Sequence, residues 1–254
     1  MELSDVSVVV TGGGSGLGAA TARELAAAGA RVAVLDRTAA PAEAVAAEIA
    51  GLAVVADHCD EKAVHSALAT AHEQNGPVRV LVNCAGEGAP GRRTAGPRGA
   101  YPLDLLRRQL EVNVVGPFNC ARLAAQAMTE LEPLPTGERG VIVNTSSVNA
   151  YDGPLGTVAY SAAKAAVVAM TLPMARDLAQ AGIRVCTIAP GNFATPMLTS
   201  APTALLDDLL NWIPFPNRFG SPAEFAALVR HICENPMLNG ETIRLDAAVR
   251  MAQH

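Results

Sequence analysis

An α/β fold, a doubly wound parallel sheet of about seven strands flanked by helices, is predicted by three observations. Short apolar runs rich in β-branched residues alternate with helical stretches along nearly the whole chain. A glycine-rich turn stands between the first such run and the first helix. The 254 residues, 50% hydrophobic and 17% charged, suffice for one large core, and no repeat or composition break marks a linker. A single domain over residues 1–254 is the resulting expectation.

The first strand is Val6-Ser7-Val8-Val9-Val10, followed at once by Thr11-Gly12-Gly13-Gly14-Ser15-Gly16-Leu17-Gly18. A helix over 16–28 comes next and stops at Gly29. Strand, glycine turn and helix N-terminus make a phosphate cradle. Glycines let backbone N–H groups approach a pyrophosphate, and the helix dipole favours its charge. The arrangement is Rossmann-type, with the spacing Thr-Gly-x-x-x-Gly-x-Gly on Gly12, Gly16 and Gly18. A second strand, 31–35, ends at Asp36, eighteen residues past Gly18. A carboxylate there can accept hydrogen bonds from ribose hydroxyls and repel a 2′-phosphate, which favours NAD over NADP. Arg37 pulls the other way, since a basic residue could pair with that phosphate.

The rhythm continues with helix 41–50, strand 52–56, helix 60–75, strand 78–82, helix 103–130, strand 139–145, helix 158–181 and strand 183–189. Helices 203–212 and 222–234 and a strand at 242–245 complete it. Two stretches depart from it. Residues 87–102 carry four glycines, three prolines and Arg92, Arg93 and Arg98, so they form an insertion loop. Its arginines could meet the phosphates of coenzyme A, or the loop could be a solvated surface feature. Residues 192–216 follow the sixth strand at the carboxyl edge of the sheet, where ligands bind in open α/β folds, and read as a substrate lid. Trp212, Ile213 and Phe215 fit either lid core or a subunit contact.

Tyr160 and Lys164 stand four apart, so on a helix they share one face. A phenol with a pKa near ~10 is a poor acid–base group at neutral pH. A lysine ammonium one turn away favours the phenolate and brings the phenol toward a working range. Ser147 could then hold a substrate carbonyl or alcohol oxygen beside the Tyr160 hydroxyl.

Bulk properties narrow the partners. A net charge of −5 and 4% aromatics argue against nucleic acid and anionic membranes. The apolar stretches are interrupted by Lys164 or fall short of a membrane span. Five dispersed cysteines read as buried reduced thiols, and the histidines show no metal-ligand spacing, so no metal is expected. The first strand begins too near Met1 for a targeting segment, and a cytoplasmic location is the simple expectation.

Taken together, these residues resemble the short-chain dehydrogenase/reductase family from end to end. The glycine motif is joined by Asp57 after the third strand, Asn83-Cys84-Ala85-Gly86 after the fourth and Asn113 in a central helix. Ser147 lies thirteen residues before Tyr160, and Pro190-Gly191 follows the sixth strand. The resemblance implies a catalytic set of Asn113, Ser147, Tyr160 and Lys164, with Ser147 and Tyr160 contacting substrate. Cofactor contacts are implied for Gly12, Ser15, Gly16, Leu17, Gly18, Asp36, Asp57, His58, Asn83, Cys84, Ala85, Gly86, Tyr160, Lys164, Pro190, Phe193 and Thr195. Asp57 would meet the adenine amino group, with the His58 backbone nearby, and Phe193 and Thr195 the carboxamide end. Tyr160 would move the proton, Ser147 orient the oxygen, Lys164 lower the Tyr160 pKa and reach the ribose, and Asn113 bind a relay water.

The second half, including Gly140 to Ser147, Thr171 to Leu178, Ile213 to Pro216 and Glu234 to Glu241, is similar to type II 3-hydroxyacyl-CoA dehydrogenases. That similarity implies an NAD-dependent oxidoreductase acting on a 3-hydroxyacyl-CoA/3-oxoacyl-CoA pair, usually as a homotetramer. Pro154 departs from that group, which has a glutamine six residues before the tyrosine. Three alternatives stay open: a 3-oxoacyl-[acyl-carrier-protein] reductase, a hydroxysteroid dehydrogenase and a non-catalytic NAD-binding regulator.

Overall fold

Both faces of the sheet are buried, which is why its strands read as nearly unbroken apolar runs rather than alternating ones. The computed structural model describes residues 1–88, 90–200 and 202–251. Residue 89 of the insertion loop, residue 201 of the lid and residues 252–254 of the domain lie outside the described residues. Seven strands pair in parallel: β1 (Ser7–Thr11), β2 (Arg31–Asp36), β3 (Leu52–Val55), β4 (Val78–Asn83), β5 (Gly140–Thr145), β6 (Ile183–Pro190) and β7 (Thr242–Leu245). Their spatial order is β3-β2-β1-β4-β5-β6-β7, so the order reverses between β1 and β4. Loops leaving those two strands diverge and open a crevice at their carboxyl ends.

Alternate strand residues feed two cores. Val8, Val10, Val82, Val143 and Ile188 pack with Leu25 of α1 (Gly16–Ala27) and Phe225 of α10 (Pro222–Glu234). Val9, Leu35, Leu81 and Ile142 pack on the opposite face, against Leu68 of α3 (Glu61–Asn75) and Met128 of α5 (Gly116–Thr129). Burying each such side chain contributes about 1.5–3 kcal/mol. Asp60 caps α3 by accepting from the Lys62 and Ala63 amides, and Ser221 with Glu224 forms a capping box on α10. α2 (Ala39–Glu48) covers the β2–β3 crossover.

The helix predicted over 103–130 is interrupted. It divides into α4 (Leu103–Leu110), a π-helical turn (Glu111–Val115) and α5. Pro117 has no N–H to give the Asn113 carbonyl four residues upstream, so the α-helical ladder cannot run through this point. Two short helices, α6 (Asn149–Asp152) and α8 (Pro196–Thr199), lie outside the predicted rhythm. α7 (Val158–Asp177) is long and apolar enough to cross a membrane by length and composition, contrary to the sequence expectation. Here one side of it packs on β6 and carries the buried Lys164. α9 (Thr203–Asn211) belongs to the lid, where Ile213 and Trp212 join Val148 and Val249 in a third small core, whereas Phe215 is 83% exposed.

Candidate active site

A cavity of about 680 Å³ follows the carboxyl edge of the sheet, from Asp36 past the glycine turn to Tyr160 and the lid. Its phosphate end is shaped by close backbone approach. Gly12 has φ +64°, and a Cβ on it would fall 2.8 Å from the Ala85 main chain, so only glycine lets the turns after β1 and β4 meet. Ser15, the N-cap of α1, makes no side-chain cap. The first-turn amides at Gly16, Leu17 and Gly18 therefore keep their donors for an anion. This cradle fits a dinucleotide pyrophosphate. Asp36 closes the far end of the cavity, where the sequence expects the adenosine ribose, its two carboxylate oxygens accepting from Gly14 N and Thr38 N at 3.1 Å each. Each oxygen retains acceptor capacity for a ribose hydroxyl. Arg37 also lines this end and is exposed.

Two residues expected to face the cofactor do not line the cavity. Asp57 is exposed, and its carboxylate accepts from the Cys59 amide at 2.9 Å; Ala56 and His58 line the cavity there. Asn83 is buried beneath it as a strap, Nδ2 donating to Pro117 O at 3.1 Å and to Asn144 Oδ1 at 2.9 Å. Cys84, Ala85 and Gly86 line the wall in its place. The Cys84 thiol accepts from Thr145 Oγ1 at 3.7 Å, and burial pushes it up to about 11, so it stays neutral. Contrary to the sequence expectation, Cys59 and Cys84 are only partly buried, and His58 does have an acidic and a thiol neighbour. Donor atoms of Asp57, His58 and Cys59 lie within 4.8 Å of one another. His58 Nε2 is engaged by Val112 O at 2.9 Å, and burial pushes the Cys59 thiol up to about 12.

The reacting end is built from β5 and α7. Ser147 follows β5, held by the Val148 amide on Pro190 O at 3.1 Å and by its own Oγ accepting from Asn149 N at 3.2 Å. Ser146 Oγ donates to the Lys164 carbonyl at 2.7 Å and staples α7 to the strand. Tyr160 and Lys164 then project from the first two turns of α7 into the cavity with Ser147. Lys164 is 4% exposed; its Nζ donates to Thr145 O at 3.0 Å and sits 5.7 Å from the Tyr160 ring centre. Burial brings its ammonium down to about 8, where it can exchange protons near neutrality. Burial also raises the Tyr160 phenol above its ordinary value, and the Ser147 hydroxyl is the group that pulls it down. The sequence assigns that lowering to Lys164; in the structure the ammonium is turned to a carbonyl.

Asn113 is fully buried at the cavity wall, and its carboxamide is bonded to the main chain of Glu87. Asn113 Oδ1 accepts from Glu87 N and keeps a second lone pair, the one side-chain position left for the relay water expected from the sequence. Pro190, Phe193 and Thr195 line the lid side; Phe193 packs edge-on against Phe225, and Thr195 abuts Gly16. Met197, Leu198 and Leu209 of the lid, with Asn149 and Thr157, also line the cavity, and sequence reasoning does not single them out. The lid residues lie in the segment that the sequence marks as substrate-facing, and Thr157 lies one turn before Tyr160. In the insertion loop, Arg92 donates to the carbonyls of Arg98 and Ala100, while Arg93 and Arg98 are exposed. This loop lines a second hollow of about 330 Å³ with Leu155 and Gly156, just before α7.

The chain matches the short chain dehydrogenase family over residues 6–205. It is 50% identical over 246 residues to a human 3-hydroxyacyl-CoA dehydrogenase type-2, covering 96% of this chain and 94% of the relative. The crystal structure of a 3-hydroxyacyl-CoA dehydrogenase type-2 from Mycobacterium avium superposes with a TM-score of 0.95 at 37% identity, covering 98% of each chain. A 3-ketoacyl-(acyl-carrier-protein) reductase from Brucella melitensis complexed with NADH superposes with a TM-score of 0.87 at 30% identity, covering 98% of this chain and all of that one.

Proposed function

The chain belongs to the short chain dehydrogenase family, and from that premise we propose that it interconverts 3-hydroxyacyl-CoA and 3-oxoacyl-CoA esters with NAD. It is an oxidoreductase. The observation that carries the reading is the meeting of Ser147, Tyr160 and Lys164 at one end of a cavity whose other end is the glycine cradle and Asp36. The 50% identity to the human dehydrogenase supports the substrate class. Asp36, aimed at the adenosine end, supports NAD over NADP. Apolar Met197, Leu198 and Leu209 suit an acyl chain, and exposed Arg93 and Arg98 suit the anionic phosphates of a coenzyme A tail.

Gly12, the amides of α1 and Asp36 would hold the cofactor, which when bound supplies the hydride acceptor at its nicotinamide ring. For alcohol oxidation, Tyr160 as phenolate takes the hydroxyl proton. Ser147 Oγ donates to the same oxygen and fixes it for transfer. The Ser147 hydroxyl favours the phenolate, and Lys164, brought down to about 8 by burial, exchanges protons near neutrality and passes the proton onward. Asn113 holds the turn that carries Gly86 beside Lys164 Nζ. Exposed Val158 and Leu172 on α7 and Val115 and Phe118 beside it support assembly as a homotetramer, with sister copies covering this face.

Replacing Tyr160 by Phe tests the core of this reading. NAD binding persists, and turnover falls by ~10²–10⁴-fold, the usual contribution of a positioned acid–base group. A folded Tyr160→Phe enzyme that keeps most of its rate would remove the tyrosine from the mechanism.

A further inference from the structure

We propose that Gln109 is a positioning residue for the reaction, holding the Asn113 carboxamide and, through it, the turn after β4 against the catalytic lysine. The proposal rests on the reading above, in which Asn113 serves the Tyr160–Lys164 site.

Gln109 is the one buried residue of α4, at 3% exposure, and stands one helical turn before Asn113. A buried carboxamide is costly unless its atoms are bonded. Those of Gln109 are. Gln109 Oε1 accepts from Asn113 Nδ2 at 3.0 Å, and Nε2 donates to Gly88 O at 3.1 Å and, more loosely, to Glu87 Oε1 at 3.4 Å. Asn113 Nδ2 also donates to Glu87 O at 3.0 Å, and Asn113 Oδ1 accepts from Glu87 N at 3.2 Å. Both Asn113 amide protons are thereby used, and a flipped Asn113 would set donor against donor and acceptor against acceptor.

Gly86 transmits this order to the site. A Cβ on it would lie 2.8 Å from Asn113 Oδ1 and 3.5 Å from Lys164 Nζ, so its main chain is wedged between the two groups. At the outer end, Arg108 grips the Glu87 carboxylate at 2.8 and 2.9 Å. One connected path therefore runs from surface Arg108 through Glu87, Gln109, Asn113 and Gly86 to the buried ammonium. Loosening it lets the turn drift from Lys164 without removing any group that touches substrate.

The test uses Gln109→Met, which keeps side-chain length and deletes every hydrogen bond. The expected result is a two- to tenfold fall in kcat, roughly the worth of one net hydrogen bond, with both KM values little changed. On an Asn113→Ala background the same substitution costs less than in the wild type, because part of its effect passes through Asn113 and only the bond to Gly88 O remains to be lost. Gln109→Asn keeps a carboxamide with a shorter reach, should keep more turnover than Gln109→Met, and carries the test if the methionine variant does not fold. Unchanged kcat in folded Gln109→Met, or equal losses on both backgrounds, overturns the proposal alone. Unchanged kcat in Asn113→Ala overturns the reading of Asn113 and the proposal with it.

Discussion

Removing the charge of Asp36 while keeping its shape should reverse much of the cofactor preference. The carboxylate has two separable roles. Its oxygens accept from Gly14 N and Thr38 N at 3.1 Å each, tying the glycine turn to the end of β2, and its negative charge faces the ribose end of the cavity. Asp36→Asn keeps one acceptor oxygen and deletes the charge; Asp36→Ala deletes both. A 2′-phosphate about 5 Å from a carboxylate is repelled by roughly 1–3 kcal/mol per charge across the effective dielectrics of a protein surface. That corresponds to about five- to 150-fold in relative efficiency. The nearby Arg37 adds attraction once Asp36 is neutral. The Asn variant should thus narrow the NAD-over-NADP ratio of kcat/KM by about that factor, while its efficiency with NAD falls less than that of the Ala variant. The assay is steady-state alcohol oxidation with each cofactor at low and high ionic strength, the difference shrinking with salt. Equal use of both cofactors by the wild type, or an unchanged ratio in Asp36→Asn, would refute the reasoning.

Arg93→Ala with Arg98→Ala should raise KM for a coenzyme A ester, more so at low salt. It should leave kcat nearly unchanged, because a remote phosphate interaction stabilises ground and transition states alike. Arg92 is excluded from that variant because it braces the loop's own carbonyls; unchanged KM would reduce the loop to a solvated insertion. Glu138→Gln should destabilise the fold near neutral pH by about 3–5 kcal/mol, since Arg184, bonded to Glu138 at 2.7 Å, is left as an uncompensated buried charge. Burial alone would raise the Glu138 carboxyl, but Arg184 and the chain's α-amino group outweigh it and hold it below its usual range. A depressed carboxyl stabilises the fold above its unfolded pKa of ~4.3 and loses that contribution as pH falls through the folded value. Denaturant unfolding at pH 7 and pH 3 should therefore show a steeper acid loss in wild type than in Glu138→Gln, and equal slopes would refute the assignment.

The strands are legible in the sequence because a parallel sheet buried on both faces permits little but apolar residues, and Val8 to Val10 or Val141 to Val143 announce that condition directly. The cradle is legible for a related reason: close backbone approach forces glycine at fixed positions, as at Gly12. The π-helical turn is harder to read, although Pro117, four residues after Asn113, carries its signal. Spacing places Asp57 and Asn83 near the cavity without saying which way their side chains bond: Asp57 Oδ1 accepts from Cys59 N, and Asn83 straps Pro117 and Asn144 together. Sequence spacing presents the Tyr160–Lys164 relation as pure charge, whereas burial acts on both groups and dominates each. Gln109 escapes sequence reasoning because a lone glutamine on an exposed, charged helix looks like surface until its neighbours are known.

The most direct measurement of the central claim follows NADH absorbance as the purified protein meets acetoacetyl-CoA, longer 3-oxoacyl-CoAs, a 3-oxoacyl-carrier-protein and an oxosteroid, each repeated with NADPH. A 3-oxoacyl-CoA with NADH should give the highest kcat/KM of the panel, and Tyr160→Phe should lower that rate by ~10²–10⁴-fold. Faster turnover of the carrier-protein or steroid substrate, a preference for NADPH, or tight NAD binding with no turnover of any CoA ester would contradict the account.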